Sequence, residues 1–135
     1  MSEYVVFCDG SCRANTAGGW AAVIMEKRTH RKHVLSGSKK NCTNNEMEYM
    51  AVLEAVKWLP LNSKAVIQTD SQLVVKQLNG EYQTRHPKLK KLKDEIDNIV
   101  QQKNLQVEYK WVGRGYNEEA NRITQAESAK LLAKK

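Results

Sequence analysis

Tyr4-Val5-Val6-Phe7-Cys8-Asp9-Gly10-Ser11 and Ala65-Val66-Ile67-Gln68-Thr69-Asp70-Ser71 share one local pattern. Each is a short, largely apolar and β-branched run that stops at an Asp followed by turn or cap formers. That pattern predicts a strand with a carboxylate at its carboxyl end. If the two strands are parallel neighbours, both carboxylates lie at the edge where ligands of α/β sheets gather. Two like charges so placed invite a cation. Taken singly, either Asp is more often a turn or N-cap residue than a ligand; a shared edge weakens that explanation.

Outward from these runs, Trp20 to Met25 follows the Gly18-Gly19 pair as a second strand, and His33 to Leu35 is a weaker third. The charged stretch Lys27 to Arg31 suits a hairpin between them. Thr43-Asn44-Asn45-Glu46 has the spacing of a capping box, with Glu46 in the returning position. Tyr49, Val52, Leu53, Val56 and Leu59 follow at helical intervals until Pro60. Asp70-Ser71 opens a helix through Val74, Val75 and Leu78, which Asn79-Gly80 breaks. Beyond Pro87, Leu89, Leu92, Ile96, Ile99 and Val100 mark an amphipathic helix. Leu105, Val107, Tyr109 and Trp111 then alternate with polar residues as a half-buried strand. After the loop Gly113 to Tyr116, the positions Ala120, Ile123, Ala126 and Leu131 predict a last helix from Asn117. The order β-β-β-α-β-α-α-β-α implies an α/β fold, a mixed five-stranded sheet covered by helices.

The 135 residues suffice for one ordinary core, and no repeat or linker divides them, so residues 1–135 read as a single domain. Against 15 Asp+Glu stand 22 Lys+Arg, a net charge of +7 that favours polyanions. No apolar run approaches the roughly 18 residues of a membrane span, and the first residues lack a basic-then-apolar leader. A cytoplasmic protein without membrane contact is expected, and a monomer. Cys8, Cys12 and Cys42 form neither an even set nor paired zinc motifs, which predicts reduced thiols. Trp20, Trp58 and Trp111 lie in apolar patterns and are expected in the core. His30, His33 and His86 fall in polar segments away from the acidic motifs and receive no role.

Glu48 sits at the margin of the first helix's apolar face, where a carboxylate loses part of its hydration. With it, Asp9-Gly10-Ser11-Cys12 and Asn15, Gly18-Gly19-Trp20, Thr43-Asn44-Asn45-Glu46-Met47-Glu48 and Thr69-Asp70-Ser71 resemble ribonuclease H of type 1 in order and separation. The resemblance covers nearly the whole chain. It implies hydrolysis of the RNA strand of RNA/DNA hybrids, leaving a 3′-hydroxyl and a 5′-phosphate. It also implies two Mg²⁺ ions, with Mn²⁺ as a substitute, held by Asp9, Glu48, Asp70 and a fourth residue. At that fourth place the family motif N-x-x-A-D reads Asn117-Glu118-Glu119-Ala120-Asn121 here. Asn121 keeps the shape of Asp and loses its charge, and an amide oxygen is a poorer ligand for hard Mg²⁺. One ion activates water and the other stabilises the leaving oxygen, so a displaced ion slows the chemistry. The expectation is an inactivated or strongly impaired Asp-to-Asn form. The loop His of many relatives is missing, and Arg114 is the candidate to stand in its place.

A protein can tell a hybrid from duplex DNA by touching 2′-hydroxyls across the shallow minor groove. The resemblance gives this role to Cys12, Arg13 and Asn15 and to Asn44, Asn45 and Gln72. Thr43 and Asn44, at a helix amino terminus, also suit phosphate. Lys88, Lys90, Lys91 and Lys93 form a basic run, but with Asp94, Glu95 and Asp97 following, a solvated helix face explains it equally. Two other classes remain open. One is a non-catalytic hybrid- or RNA-binding module; the other is a DNA strand-transfer or junction-resolving enzyme, because a fold does not fix a substrate.

Overall fold

A computed structural model describes residues 2–133, the side chains of Tyr116 and of 131–133 excepted. Its elements follow the predicted order: β1 (Glu3–Arg13), β2 (Ala17–Glu26), β3 (Lys32–Lys40), α1 (Asn44–Trp58), β4 (Lys64–Thr69), α2 (Gln72–Leu78), α3 (Pro87–Gln102), β5 (Gln106–Trp111) and α4 (Glu118–Ala133). Where a plain loop was expected, Arg114–Tyr116 forms a single 3₁₀ turn. The sheet is mixed and five-stranded, in the order β3-β2-β1-β4-β5. The pairs β1/β2 and β2/β3 are antiparallel, as hairpins require, while β1/β4 and β4/β5 are parallel across helical connections.

One face of the sheet carries the main core. Val6, Cys8, Ile24 and Ile67 are buried there with Tyr49, Val52 and Val56 of α1. Ala120 and Ile123 of α4 cover the other face, against Phe7, Ala21 and Val23. Thr43 caps α1 through its hydroxyl, which accepts the Glu46 N–H at 3.2 Å. At the other end of α1 the Lys103 ammonium donates to the carbonyls of Val56 at 3.1 Å and Leu59 at 2.8 Å, and also to that of Lys57. A cation there satisfies carbonyls that the helix leaves free.

Several expectations need correction. The Glu46 carboxylate does not close the capping box; it is buried and pairs with Lys39 and Lys88. The thiols are not all reduced. Cys12 and Cys42 form a disulfide with Cα atoms 6.0 Å apart, leaving only Cys8 free, and it is buried. An odd count does not reveal that the end of β1 folds onto the entry to α1. Trp20 is buried and Trp58 packs partly against the core, but Trp111 is 47% exposed. Strand alternation gives its face correctly, but burial also needs a covering element. Ala126 of α4 is exposed. The sheet-facing polar residues Thr124 and Ser128 are buried instead, while the Leu131 side chain lies outside the described residues.

The Asp-Gly-Ser stretch needs its glycine. A Cβ on Gly10 would lie 2.2 Å from the Met47 carbonyl carbon and 2.4 Å from the Glu48 nitrogen, both backbone atoms of α1. Gly10→Ala therefore pushes α1 off β1, an overpacking cost of about 1–3 kcal/mol. Urea unfolding should show the midpoint fall at unchanged slope, with the larger losses of this range if the helix cannot shift.

Candidate active site

The β1/β4 register sets Cys8 opposite Thr69. Asp9 and Asp70, each one residue further on, therefore emerge side by side where the parallel pairing stops; β4 ends at Thr69, whereas β1 does not end at Asp9 as expected but runs on to Arg13, still paired with β2. Glu48 reaches the same point from the first turns of α1, which Gly10 allows to sit directly on β1. One carboxylate oxygen from each of Asp9, Glu48 and Asp70 lies within 4.8 Å of the others. Asp9 is only 3% and Glu48 7% exposed. The three line an open cleft of about 470 Å³ with Ser11, Asn44, Asn45, Ser71, Trp111, Arg114 and Asn121.

Neutral donors fix the two most buried carboxylates. The Thr69 hydroxyl donates to Glu48 Oε2 at 2.9 Å, and the Gly10 amide also bonds to Glu48. The Thr124 hydroxyl lies 2.9 Å from Asp9 Oδ2 and 2.8 Å from the Asn121 carbonyl. It reaches Asp9 because α4 approaches β2 closely: a Cβ on Gly19 would stand 2.3 Å from the Thr124 carbonyl oxygen. Asn117, at the entry to α4, ties the helix to β1 by donating from Nδ2 to the Cys8 carbonyl at 2.8 Å.

Crowded carboxylates hold on to protons. Burial, followed by the charges of Asp9 and Asp70, pushes the Glu48 carboxyl well above the usual glutamate range, against the pull of Thr69 and Gly10. Burial and Asp9 raise Asp70 as well, opposed by the Arg114 guanidinium, whose Nε lies 4.0 Å from Asp70 Oδ2. The buried Cys8 thiol is raised by burial first, then by Glu48 and Asp9. Three hard oxygen donors that repel one another fit a divalent cation, which would replace the repulsion with attraction.

The remaining predicted residues fall into two groups. Asn45, Asn44, Arg114 and Asn121 line the cleft. Asn44 Oδ1 accepts the Cys12 N–H at 2.6 Å, so the disulfide-bonded Cys12 has neither a thiol nor a free N–H to offer. Arg13 is exposed and donates to Gln125 Oε1 at 3.0 Å. Asn15, in a left-handed turn at φ 60°, is also exposed. Thr43 and Gln72 are exposed at the starts of α1 and α2. The basic run on α3 is largely compensated: Lys90 meets Asp94 at 3.4 Å and Lys93 meets Asp97 at 2.7 Å. Sequence reading gave no site role to the donors Thr69 and Thr124 or to the cleft-lining Ser11, Ser71 and Trp111. Trp111 sits two residues past Tyr109 on one strand face, so its place beside Asp70 was readable once β5 was paired with β4.

The family model for RNase H matches residues 1–129. The chain belongs to the ribonuclease H family. Over 138 residues it is 34% identical to the Ribonuclease H of Wolbachia pipientis wMel, covering 90% of this chain and 92% of that protein. Among solved structures, the N-terminal RNase H domain of Rv2228c from Mycobacterium tuberculosis superposes with a TM-score of 0.91 at 25% identity, over 99% of each chain. LC11-RNase H1, solved in complex with an RNA/DNA hybrid, has a TM-score of 0.85 at 24% identity, covering 96% of this chain and 99% of that one. The chain is thus a ribonuclease H-type enzyme, of a family that generally uses divalent metal ions.

The raised Glu48 and Asp70 make a pH prediction. A carboxyl raised on folding stabilises the fold below its ordinary value, about 4.3 for Glu, and loses that contribution as pH rises through the folded value. Without metal, this contribution should decline from acidic toward neutral pH, and Glu48→Gln should flatten the decline. At neutral pH Mn²⁺ at about 100-fold over its Kd should add about 2.7 kcal/mol, fading as pH falls through the raised Glu48 value. Thermal unfolding across pH, with and without Mn²⁺, checks both; a metal effect unchanged in Glu48→Gln would contradict the assignment.

Proposed function

We propose that the chain hydrolyses the RNA strand of RNA/DNA hybrids at the Asp9–Glu48–Asp70 cleft, and that Asn121 strongly impairs it. The observation that carries this reading is the convergence of three carboxylates from three elements within 4.8 Å. The sequence motifs, the net charge of +7 and the hybrid bound by the similarly folded LC11-RNase H1 support the substrate. Asp9, Glu48 and Asp70 would hold two Mg²⁺ ions, or Mn²⁺, together with the amide oxygen of Asn121. When bound, such ions supply the positive charge that activates water and stabilises the leaving oxygen.

The chain's own residues prepare that site. Thr69 and Gly10 orient Glu48, and Thr124 orients Asp9. Three carboxylates against two divalent cations leave one positive charge uncompensated, and Asn121 cannot supply the missing negative one. Arg114, in the position of the loop His of many relatives, would handle the phosphate product. Arg13, Asn15, Asn44, Asn45 and Gln72 would meet the minor groove, with the Cys12 N–H holding the Asn44 side chain, and Thr43 with Asn44 would meet a backbone phosphate. Action as one domain, as a monomer and in the cytoplasm belongs to the same proposal.

Cleavage of a hybrid labelled on each strand, by this chain and by Asn121→Asp with Mg²⁺ and with Mn²⁺, tests the reading. The Asp form should cut only RNA, about 100-fold faster or more, since ligand charge at the transition state is worth several kcal/mol and each 1.4 kcal/mol is tenfold. Binding without cutting by both forms would replace the enzyme with a hybrid-binding module. Failure to bind the hybrid would end the hybrid reading.

A further inference from the structure

One large side chain of the cleft has no part in that chemistry. Trp111 closes β5 opposite Thr69. It continues the face of Val107 and Tyr109, which pack partly against the core. Trp111 lies one step beyond the cover that buries them and is 47% exposed. Leaving part of an indole in water forgoes apolar burial at about 25 cal/mol per Å², and this indole is not loose. Its Nε1–H donates to the Asp70 carbonyl at 3.2 Å, fixing the ring to the residue that carries a proposed metal ligand. The ring shares the cleft with Asp9, Glu48, Asp70, Arg114 and Asn121.

The charged work of that cleft, on phosphate and on cations, is assigned to the carboxylates and Arg114. An aromatic face can do something different: in a paired hybrid, whose bases are already stacked on one another, it can pack on the C–H face of a sugar at the minor groove. We propose that Trp111 is a substrate-positioning residue whose indole packs against the nucleotide adjoining the cleaved phosphodiester. The inference rests on the hybrid reading of the cleft. A fixed ring there limits how the strand slides past the carboxylates and so sets which phosphodiester lies over them.

Binding of a labelled RNA/DNA hybrid in Ca²⁺ is measured for the full chain, Trp111→Ala and Trp111→Phe, with thermal unfolding of each. Trp111→Ala should bind about 10-fold more weakly or worse, near the low end of what aromatic contacts with nucleic acid are worth, with little change in its unfolding midpoint. Trp111→Phe should keep most of the affinity. The hybrid should quench the tryptophan emission of the parent chain but not that of Trp111→Phe, because Trp20 is buried and Trp58 packs against the core. Trp111→Ala binding within about twofold of a parent that itself binds would sink the inference and leave the hybrid reading standing. A parent that does not bind the hybrid would overturn both. If Trp111→Ala unfolds, the quench decides: its persistence in Trp111→Phe counts against the contact, its loss supports it.

Discussion

Parallel pairing of β1 with β4 in the register Cys8 to Thr69 is the constraint from which the site follows. It brings two carboxylates side by side where the parallel pairing stops, and their mutual repulsion opposes the pairing that creates it. The fold tolerates this because the strands behind them are buried and apolar, and because β1, β4 and α4 supply hydrogen-bond donors. Thr69 and the Gly10 amide meet Glu48, and Thr124 meets Asp9. None of these donors is a cation, so the repulsion is eased rather than cancelled. That residue of unfavourable charge is what a divalent cation would relieve.

Close backbone approach is the second requirement. Gly10 lets α1 rest on β1 and Gly19 lets α4 rest on β2, so carboxylate and hydroxyl reach the centre from both faces of the sheet. Asn121 belongs to the α4 side of this arrangement. There the helix delivers an amide and, one turn later, the Thr124 hydroxyl, where the family pattern delivers a carboxylate. In the proposed reading the geometry of the site survives while its charge balance does not, which would separate holding a substrate from cleaving it.

Most of the fold was legible because period and punctuation agreed. The runs ending at Asp9 and Asp70, the capped helix from Thr43 and the alternation of β5 each carried one strong local signal. What was misread depends on contacts between distant segments. The Cys12–Cys42 bridge needs the end of β1 to meet the start of α1. The Glu46 carboxylate turned from its own helix to Lys39 and Lys88. Trp111 was placed on the correct face of β5 but not recognised as lying beyond the helical cover. Thr124 gives no motif, since its value lies in the proximity of Gly19. Asp9, Glu48 and Asp70 could be singled out because each sits beside a local signal, an apolar strand run or a helix margin; their donors could not, because hydrogen bonds across elements leave no local signal.

The most direct test is where a metal ion sits. Crystals of the chain grown with Mn²⁺ give an anomalous signal that places the ion independently of any assumption about ligands. The account predicts a peak between Asp9, Glu48 and Asp70, within coordination distance of all three carboxylates. A peak elsewhere, or none near these residues at saturating Mn²⁺, would contradict it.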